Sequence, residues 1–260
     1  MRGVAPLLVG ERLTQVEVRR ADLRWPIAPD FRQRLQGATV TAVGRRAKYG
    51  LIHTDRGDSI ILHLGMSGRL RLDPAEDLKH DHVLFETAKG RIALNDPRRF
   101  GSLHIVETDR LEAHPLIAAC GPEPLGADFD AAHVRTVTKG SQAPIKALLL
   151  DGKRIAGLGN IYVCEALFEA GVRPTRKGAR LTAREAARLA ETIPAVLSRA
   201  IEAGGSSLRD YAQPSGELGY FQHDFRVYGR AGDPCHTCGT PIRRIVQSAR
   251  SSFYCPTCQR

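Results

Sequence analysis

Four cysteines close the chain in the pattern Cys235-x2-Cys238, a spacer of sixteen residues, then Cys255-x2-Cys258. Each Cys-x-x-Cys turn can aim two sulfurs at one point, and a spacer of that length can form two strands that bring the turns together. The spacing therefore predicts one tetrahedral zinc site on a β-hairpin. A four-thiolate site has no open position for water, so the zinc is structural and does no chemistry. Two disulfides are the alternative, but nothing else marks the chain as secreted. Arg243, Arg244, Arg250 and Arg260 lie among these cysteines. Cys120 and Cys164, in apolar surroundings without nearby partners, read as small core residues. In Lys79-His80-Asp81-His82, two imidazoles stand at a spacing unsuited to a metal. The formal charge of +10 falls to +8 when four thiolates and one zinc are counted. Together with an arginine-bearing zinc hairpin, that balance predicts a polyanionic partner, nucleic acid above all.

The elements that must position these residues divide the sequence in two. Short runs with period-two alternation occupy residues 13–18, 38–43, 51–54, 60–64, 83–86, 91–94 and 103–106, separated by turn chemistry such as Asp55-Arg56-Gly57 and Ala88-Lys89-Gly90. They predict a β-sandwich, because each sheet then buries one face. After the Pro- and Gly-rich stretch 121–126 the period becomes helical, over residues 130–138, 144–150, 161–170, 183–191 and 193–203. Residues 204–228, rich in Gly, Ser and aromatics without a clear period, read as a long functional loop. The expected class is α+β multidomain: a β-sandwich at 1–120, a helical domain at 121–228 and a zinc finger at 229–260. At 260 residues the chain can bury its own core. The apolar run after Met1-Arg2 stops at Glu11, too short for a secretory signal, and no stretch approaches membrane-spanning length. A cytoplasmic protein, away from membranes, is expected.

Several anchors then occur in a fixed order: Lys48-Tyr49, His63-Leu64-Gly65-Met66-Ser67-Gly68, Asn95-Asp96-Pro97-Arg98-Arg99-Phe100-Gly101, Gly157-Leu158-Gly159-Asn160-Ile161-Tyr162, Gly219-Tyr220-Phe221-Gln222-His223, Val227-Tyr228-Gly229-Arg230 and the 250–258 hairpin. In this order the chain resembles, nearly end to end, the bacterial formamidopyrimidine-DNA glycosylases. The resemblance implies a base-excision repair enzyme that removes 8-oxoguanine and formamidopyrimidines from damaged duplex DNA as a monomer. It also implies that the enzyme cuts the abasic site by β- and δ-elimination. An enzyme that extrudes a base must fill the vacated stack and face the orphaned partner. Met66, Arg98 and Phe100 match the family's void-filling trio; on residue type alone Met66 reads as core and Arg98 as a solvated turn residue. The segment 144–162 resembles the family's helix-two-turns-helix element, in which Asn160 and the amides of the following helix can hold a phosphate oxygen. Lys139, Lys146 and Lys153 are further candidates for phosphate contact, or solvated surface lysines. The resemblance also implies a DNA contact at His80, a lesion-capping loop over Ser215, Gly216, Gly219 and Tyr220, and catalytic assistance from Lys48 and Arg250. Without it, Lys48 reads as a solvent-facing strand lysine.

The sequence departs from the family at its beginning. Family members open with Met-Pro-Glu-Leu-Pro-Glu; after loss of Met the proline amine attacks C1′ and the following glutamate serves as acid and base. Here the chain opens Met1-Arg2-Gly3-Val4-Ala5-Pro6, which resembles the middle of the family's first helix. The expectation is that the natural start lies upstream and supplies this pair. The rival readings are a lesion-binding module without catalysis, an endonuclease VIII-like pyrimidine glycosylase, and a general zinc-ribbon RNA binder. Lys48 as a replacement nucleophile is a further hypothesis, tested by loss of Schiff-base trapping in Lys48→Ala.

Overall fold

The computed structural model describes residues 1–205 and 220–260. Among the described residues the chain forms two compact units, 1–118 and 119–205 with 220–260. The first contains α1 (Ala5–Leu8), β1 (Gln15–Val18), α2 (Phe31–Leu35), β2 (Val40–Arg46), β3 (Tyr49–Thr54), β4 (Asp58–His63), β5 (Arg69–Leu72), β6 (Asp81–Thr87), β7 (Gly90–Asn95), β8 (Ser102–Glu107) and α3 (Pro115–Ala118). Two antiparallel four-stranded sheets, in the orders β1-β6-β7-β5 and β2-β3-β4-β8, make the sandwich. One cluster buries Val16, Val83, Phe85, Ile92 and Leu94 from the first sheet against Val40, Ile52, Ile60, Leu62 and Leu103 from the second, with Phe31 and Leu35 of α2. Strand β4 loses its alternation because its outer face is covered as well: Ile61 packs with Leu51, Leu111 and Ile117.

The second unit contains α4 (Ala131–Thr138), α5 (Ile145–Leu150), α6 (Asn160–Glu169), α7 (Ala183–Glu202) and a hairpin of β9 (Arg243–Gln247) and β10 (Arg250–Tyr254). The two helical runs expected at 183–191 and 193–203 are one continuous helix with Pro194 inside it. A capping box starts that helix: the Thr182 hydroxyl accepts from the Glu185 amide, and the Glu185 carboxylate accepts from the Thr182 amide. Its apolar stripe of Ala186, Leu189, Ile193, Val196 and Ala200 belongs to the same core as Val163, Ala166, Leu167 and Ala170. The hairpin shares a second core with the helices, in which Cys164 of α6 is buried with Val227, Ile242 and Phe253. No helix among the described residues is long and apolar enough to cross a membrane.

Candidate active site and nucleic-acid interface

In the first unit, two loops are tied together by one buried carboxylate. Asp96, fully buried, accepts from the Ser67 hydroxyl at 2.7 Å and from the Gly101 amide at 2.8 Å. The Ser67 oxygen in turn accepts from the Arg98 amide at 3.3 Å. The β4–β5 and β7–β8 loops are thus joined at their bases. Their contact is so close that only glycine fits at position 65, where the backbone has φ +66 and a Cβ would stand 2.4 Å from the Phe100 carbonyl carbon. What the joined loops present is apolar and exposed: Met66 at 65% and Phe100 at 46% of full accessibility. The Arg98 guanidinium lies 4.8 Å from the Phe100 ring centre, in cation–π geometry. The trio singled out from the sequence is brought together, and Met66 is no core residue.

Lys48 is not on a strand. The β2–β3 pairing ends at Arg46 opposite Tyr49, leaving Ala47 and Lys48 as a two-residue turn with Lys48 exposed. Ala47 has φ +52, an uncommon conformation for a residue with a side chain. Across the next pairing Tyr49 faces His63, their rings 5.2 Å apart. Within the His63–Gly68 anchor the sequence alone assigns no role to His63. Burial first, then the positive charges of Lys48 and Arg24, hold its pKa below the usual histidine range. Its Nδ1 accepts from the Gly65 amide at 3.0 Å, which places a neutral ring at the foot of the Met66 loop. His63 carries no distinguishing spacing, so only the sheet register could reveal it.

His80 is half-buried and lines a cleft of about 430 Å³ with Arg19, Arg20, Lys79 and Arg99. Asp81 is buried and its carboxylate is fully taken up: it accepts from Arg71 at 2.7 Å, the Leu78 amide at 2.8 Å and Asn95 at 2.9 Å. His82 Nε2 donates to the Asp96 carbonyl at 2.9 Å. The His-Asp-His run is therefore a support for the Asp96 loop.

In the second unit, α5 and α6 are joined by two turns that contain Gly157 at φ +74, and α6 opens on Asn160. The Asn160 Nδ2 donates to the Ser251 carbonyl at 2.9 Å and lies 3.4 Å from the Tyr228 hydroxyl. Lys139 is exposed at the end of α4, and Lys153 is exposed between α5 and α6. Lys146 requires correction: it is no surface lysine. It is 1% exposed, and its ammonium donates to the Ser251 carbonyl at 2.8 Å and to the Ser252 hydroxyl at 2.6 Å. Position 146 lies on the face of α5 that carries Ile145 and Leu149 into the core, and the long stem reaches through to β10. Burial lowers its pKa. Arg250 is exposed at the start of β10, directly after Ser248 and Ala249, which have φ +48 and +58. Two non-glycine residues in that conformation mark a strained turn at the hairpin tip. Tyr220 is exposed at 69%; Ser215, Gly216 and Gly219 lie outside the described residues.

The four cysteines converge. Their sulfurs all lie within 4.8 Å of one another, and among the described residues they are the one such group able to hold a metal. Cys238 and Cys255 sulfurs are 3.5 Å apart, Cys235 and Cys258 3.9 Å. A tetrahedron with bonds of about 2.3 Å has edges of about 3.8 Å, so the set fits one zinc ion and no disulfide joins these cysteines. Cys238 Sγ lies 3.4 Å from the Thr240 hydroxyl, on the exposed side of the site. Behind the site, buried Gln259 accepts from the Cys255 amide at 2.8 Å and donates to the Val172 carbonyl at 2.9 Å. That link ties the metal site to the segment that follows α6. Zinc bound here supplies folding energy to the hairpin that carries Arg250.

A two-sheet sandwich with two tied loops that expose Met66 and Phe100, a helix-two-turns-helix element and a four-cysteine hairpin together define a helix-two-turns-helix, zinc-hairpin protein. The formamidopyrimidine-DNA glycosylase N-terminal domain matches residues 1–103, the H2TH domain of the same enzymes matches 120–212, and a zinc finger found in FPG and IleRS matches 232–260. A formamidopyrimidine-DNA glycosylase of Rhizorhabdus wittichii is 58% identical over 261 residues, covering 100% of this chain and 96% of that protein. The crystal structure of the MutM (Fpg) protein of Thermus thermophilus has a TM-score of 0.90 at 39% identity, covering 99% of this chain and 95% of that one. A Lactococcus lactis Fpg point mutant in complex with a Fapy-dG containing DNA has a TM-score of 0.92 at 33% identity, covering 100% and 96%. The chain belongs to the formamidopyrimidine-DNA glycosylase family.

Proposed function

We propose that this protein is a base-excision repair glycosylase and abasic-site lyase that acts as a monomer on oxidised purines in duplex DNA, within the bacterial cytoplasm. The observation that carries the reading is the pair of loops clamped by Asp96, which hold Met66, Arg98 and Phe100 outward at a cost in exposed apolar surface. Two apolar groups can fill the space a flipped base leaves, and the guanidinium can donate to the partner left unpaired. Asn160, Lys139 and His80 serve as backbone contacts, which position DNA without reading sequence. In the reaction the base is flipped out, an amine of the protein attacks C1′, the glycosidic bond breaks to release the base, and the amine nitrogen is left in an imine with C1′. Elimination on both sides of the sugar follows, with Lys48 on its strained turn and Arg250 at the hairpin tip as assistants. Relatives support the substrate: a Lactococcus lactis Fpg mutant has been solved with a Fapy-dG containing DNA, and MutM with carbocyclic 8-oxo-G containing DNA.

The test is borohydride trapping and base release on duplex DNA carrying 8-oxoguanine opposite cytosine, with an oxidised-pyrimidine duplex alongside. It is run on residues 1–260 and, in parallel, on the same residues preceded by the family's opening Met-Pro-Glu-Leu-Pro-Glu. Excision of 8-oxoguanine with a trapped adduct is expected. Preference for the pyrimidine lesion selects the endonuclease VIII-like reading, and tight binding without release from either protein selects the silent module. If residues 1–260 trap, loss of the adduct in Lys48→Ala assigns the amine to Lys48.

A further inference from the structure

Glu165 is a buried carboxylate that the reaction does not use. It lies in the middle of α6 with 2% exposure. Burying a carboxylate is costly unless its oxygens are satisfied. Here the partners are three consecutive backbone amides: Arg226 N donates to Oε2 at 2.8 Å, and Val227 N and Tyr228 N donate to Oε1 at 3.1 and 2.8 Å. Three successive amides turned to one acceptor fix the course of the chain through that stretch. Burial pushes the Glu165 carboxyl up, against the downward pull of these three donors.

The fixed stretch ends on Tyr228, and Tyr228 touches both DNA-side elements of this unit. Its ring lies 4.9 Å from Phe253 of β10, three residues beyond Arg250, and 5.7 Å from Phe225. Its hydroxyl is 3.4 Å from Asn160 Nδ2, at the start of the helix that carries Glu165. Asn160 also donates to Ser251, the residue after Arg250. We infer that Glu165 is a positioning residue that, through the 226–228 backbone, sets Tyr228 as the spacer between Asn160 and the Arg250 hairpin. This rests on the proposed function, in which Asn160 and Arg250 meet DNA. A carboxylate serves where Gln or Leu cannot, because three donors converge on it and an amide would turn its own N–H toward one of them.

The experiment uses the full chain with zinc bound and four changes: Glu165→Leu, Glu165→Gln, Tyr228→Phe, and Tyr228→Phe combined with Glu165→Leu. Readouts are zinc content, amide exchange, and affinity for a duplex carrying a tetrahydrofuran abasic analogue. Glu165→Leu is expected to keep its zinc, lose amide protection at 226–228 alone, and bind about tenfold or more weakly, with Glu165→Gln in between. Tyr228→Phe should weaken binding by itself and add nothing on top of Glu165→Leu, because both act through one spacer. Wild-type affinity in Glu165→Leu, or the same Tyr228→Phe penalty in both backgrounds, overturns the inference. Loss of zinc and of protection throughout α6 and α7 also overturns it, since that marks a folding role alone. If the unaltered protein does not prefer the analogue duplex, the functional reading fails instead, and amide exchange still decides whether Glu165 holds 226–228.

Discussion

At the scale of single residues, the exposed Met66, Arg98 and Phe100 are held only as well as the carboxylate beneath their loops. Asp96 accepts from Ser67 and Gly101 in a fully buried position, so removing it strands two donors and frees two loops at once. Asp96→Ala is expected to cost about 2–4 kcal/mol, read from urea midpoints, and to abolish preference for lesion duplex even where the fold survives. Asp96→Asn, which can still accept once and donate once, should fall between. The hairpin tip gives the opposite sign. Ala249 stands at φ +58, where a Cβ is unfavourable and glycine is at ease. Ala249→Gly should stabilise the hairpin by about 0.5–1 kcal/mol, the relief of strain outweighing the looser unfolded chain. Slower amide exchange across 243–254 would show it. If instead Arg250-dependent strand cutting falls while the hairpin is stabilised, the strain serves to aim Arg250.

At the scale of elements, alternation and turn chemistry revealed every sandwich strand but one, because each of those runs meets a core on at least one side. Strand β5, Arg69–Leu72, escaped: four half-buried residues beside Gly68 carry too little contrast. Helix α2 escaped because it is only five residues long, little more than one turn, although Phe31 and Leu35 are both buried. Pro194 usually breaks a helix interior, yet α7 runs through it because the apolar stripe on both sides holds the helix together. The zinc ligands were legible from spacing alone, whereas the trio needed the family pattern. Lys146 was misplaced because a lysine next to Ile145 gives no sign that its amine is received by a strand far along the chain. Histidines show a consequence that sequence could not. His63, His104 and His114 all have pKa values lowered from 6.5, burial being the first cause in each. Below 6.5 the unfolded chain binds protons that the folded one refuses, so stability rises with pH across that window and falls as pH drops through it. Glu165, with its raised pKa, acts in the opposite direction as pH rises above the ordinary carboxyl value of 4.5. The urea midpoint should therefore be lower at about pH 5.5 than at about pH 7.5, and His104→Phe should shrink that difference. An unchanged difference in the variant would remove His104 from the account.

At the scale of the molecule, a net charge of +10 draws any polyanion, and what separates a DNA-handling surface from a merely basic one is which cations release counterions on binding. Lys139 and Lys146 separate the two possibilities within one unit. Lys139 is exposed at the end of α4; Lys146 is buried, with its ammonium received by Ser251 and Ser252. If both touched phosphate, each would add about 0.9 to the slope of log affinity against log salt. The structure gives different outcomes for the two. Lys139→Ala should lower the slope by about one and weaken binding similarly on damaged and undamaged duplex, as a backbone contact does. Lys146→Met keeps the stem and removes the ammonium, so it should leave the slope unchanged while loosening β10 and the Arg250 it carries. Its effect should therefore appear in strand cutting more than in binding. A salt slope that falls by about one in Lys146→Met would mean that the ammonium leaves Ser251 and Ser252 to reach the phosphate when DNA binds, and that the tether is exchanged for a contact at that step.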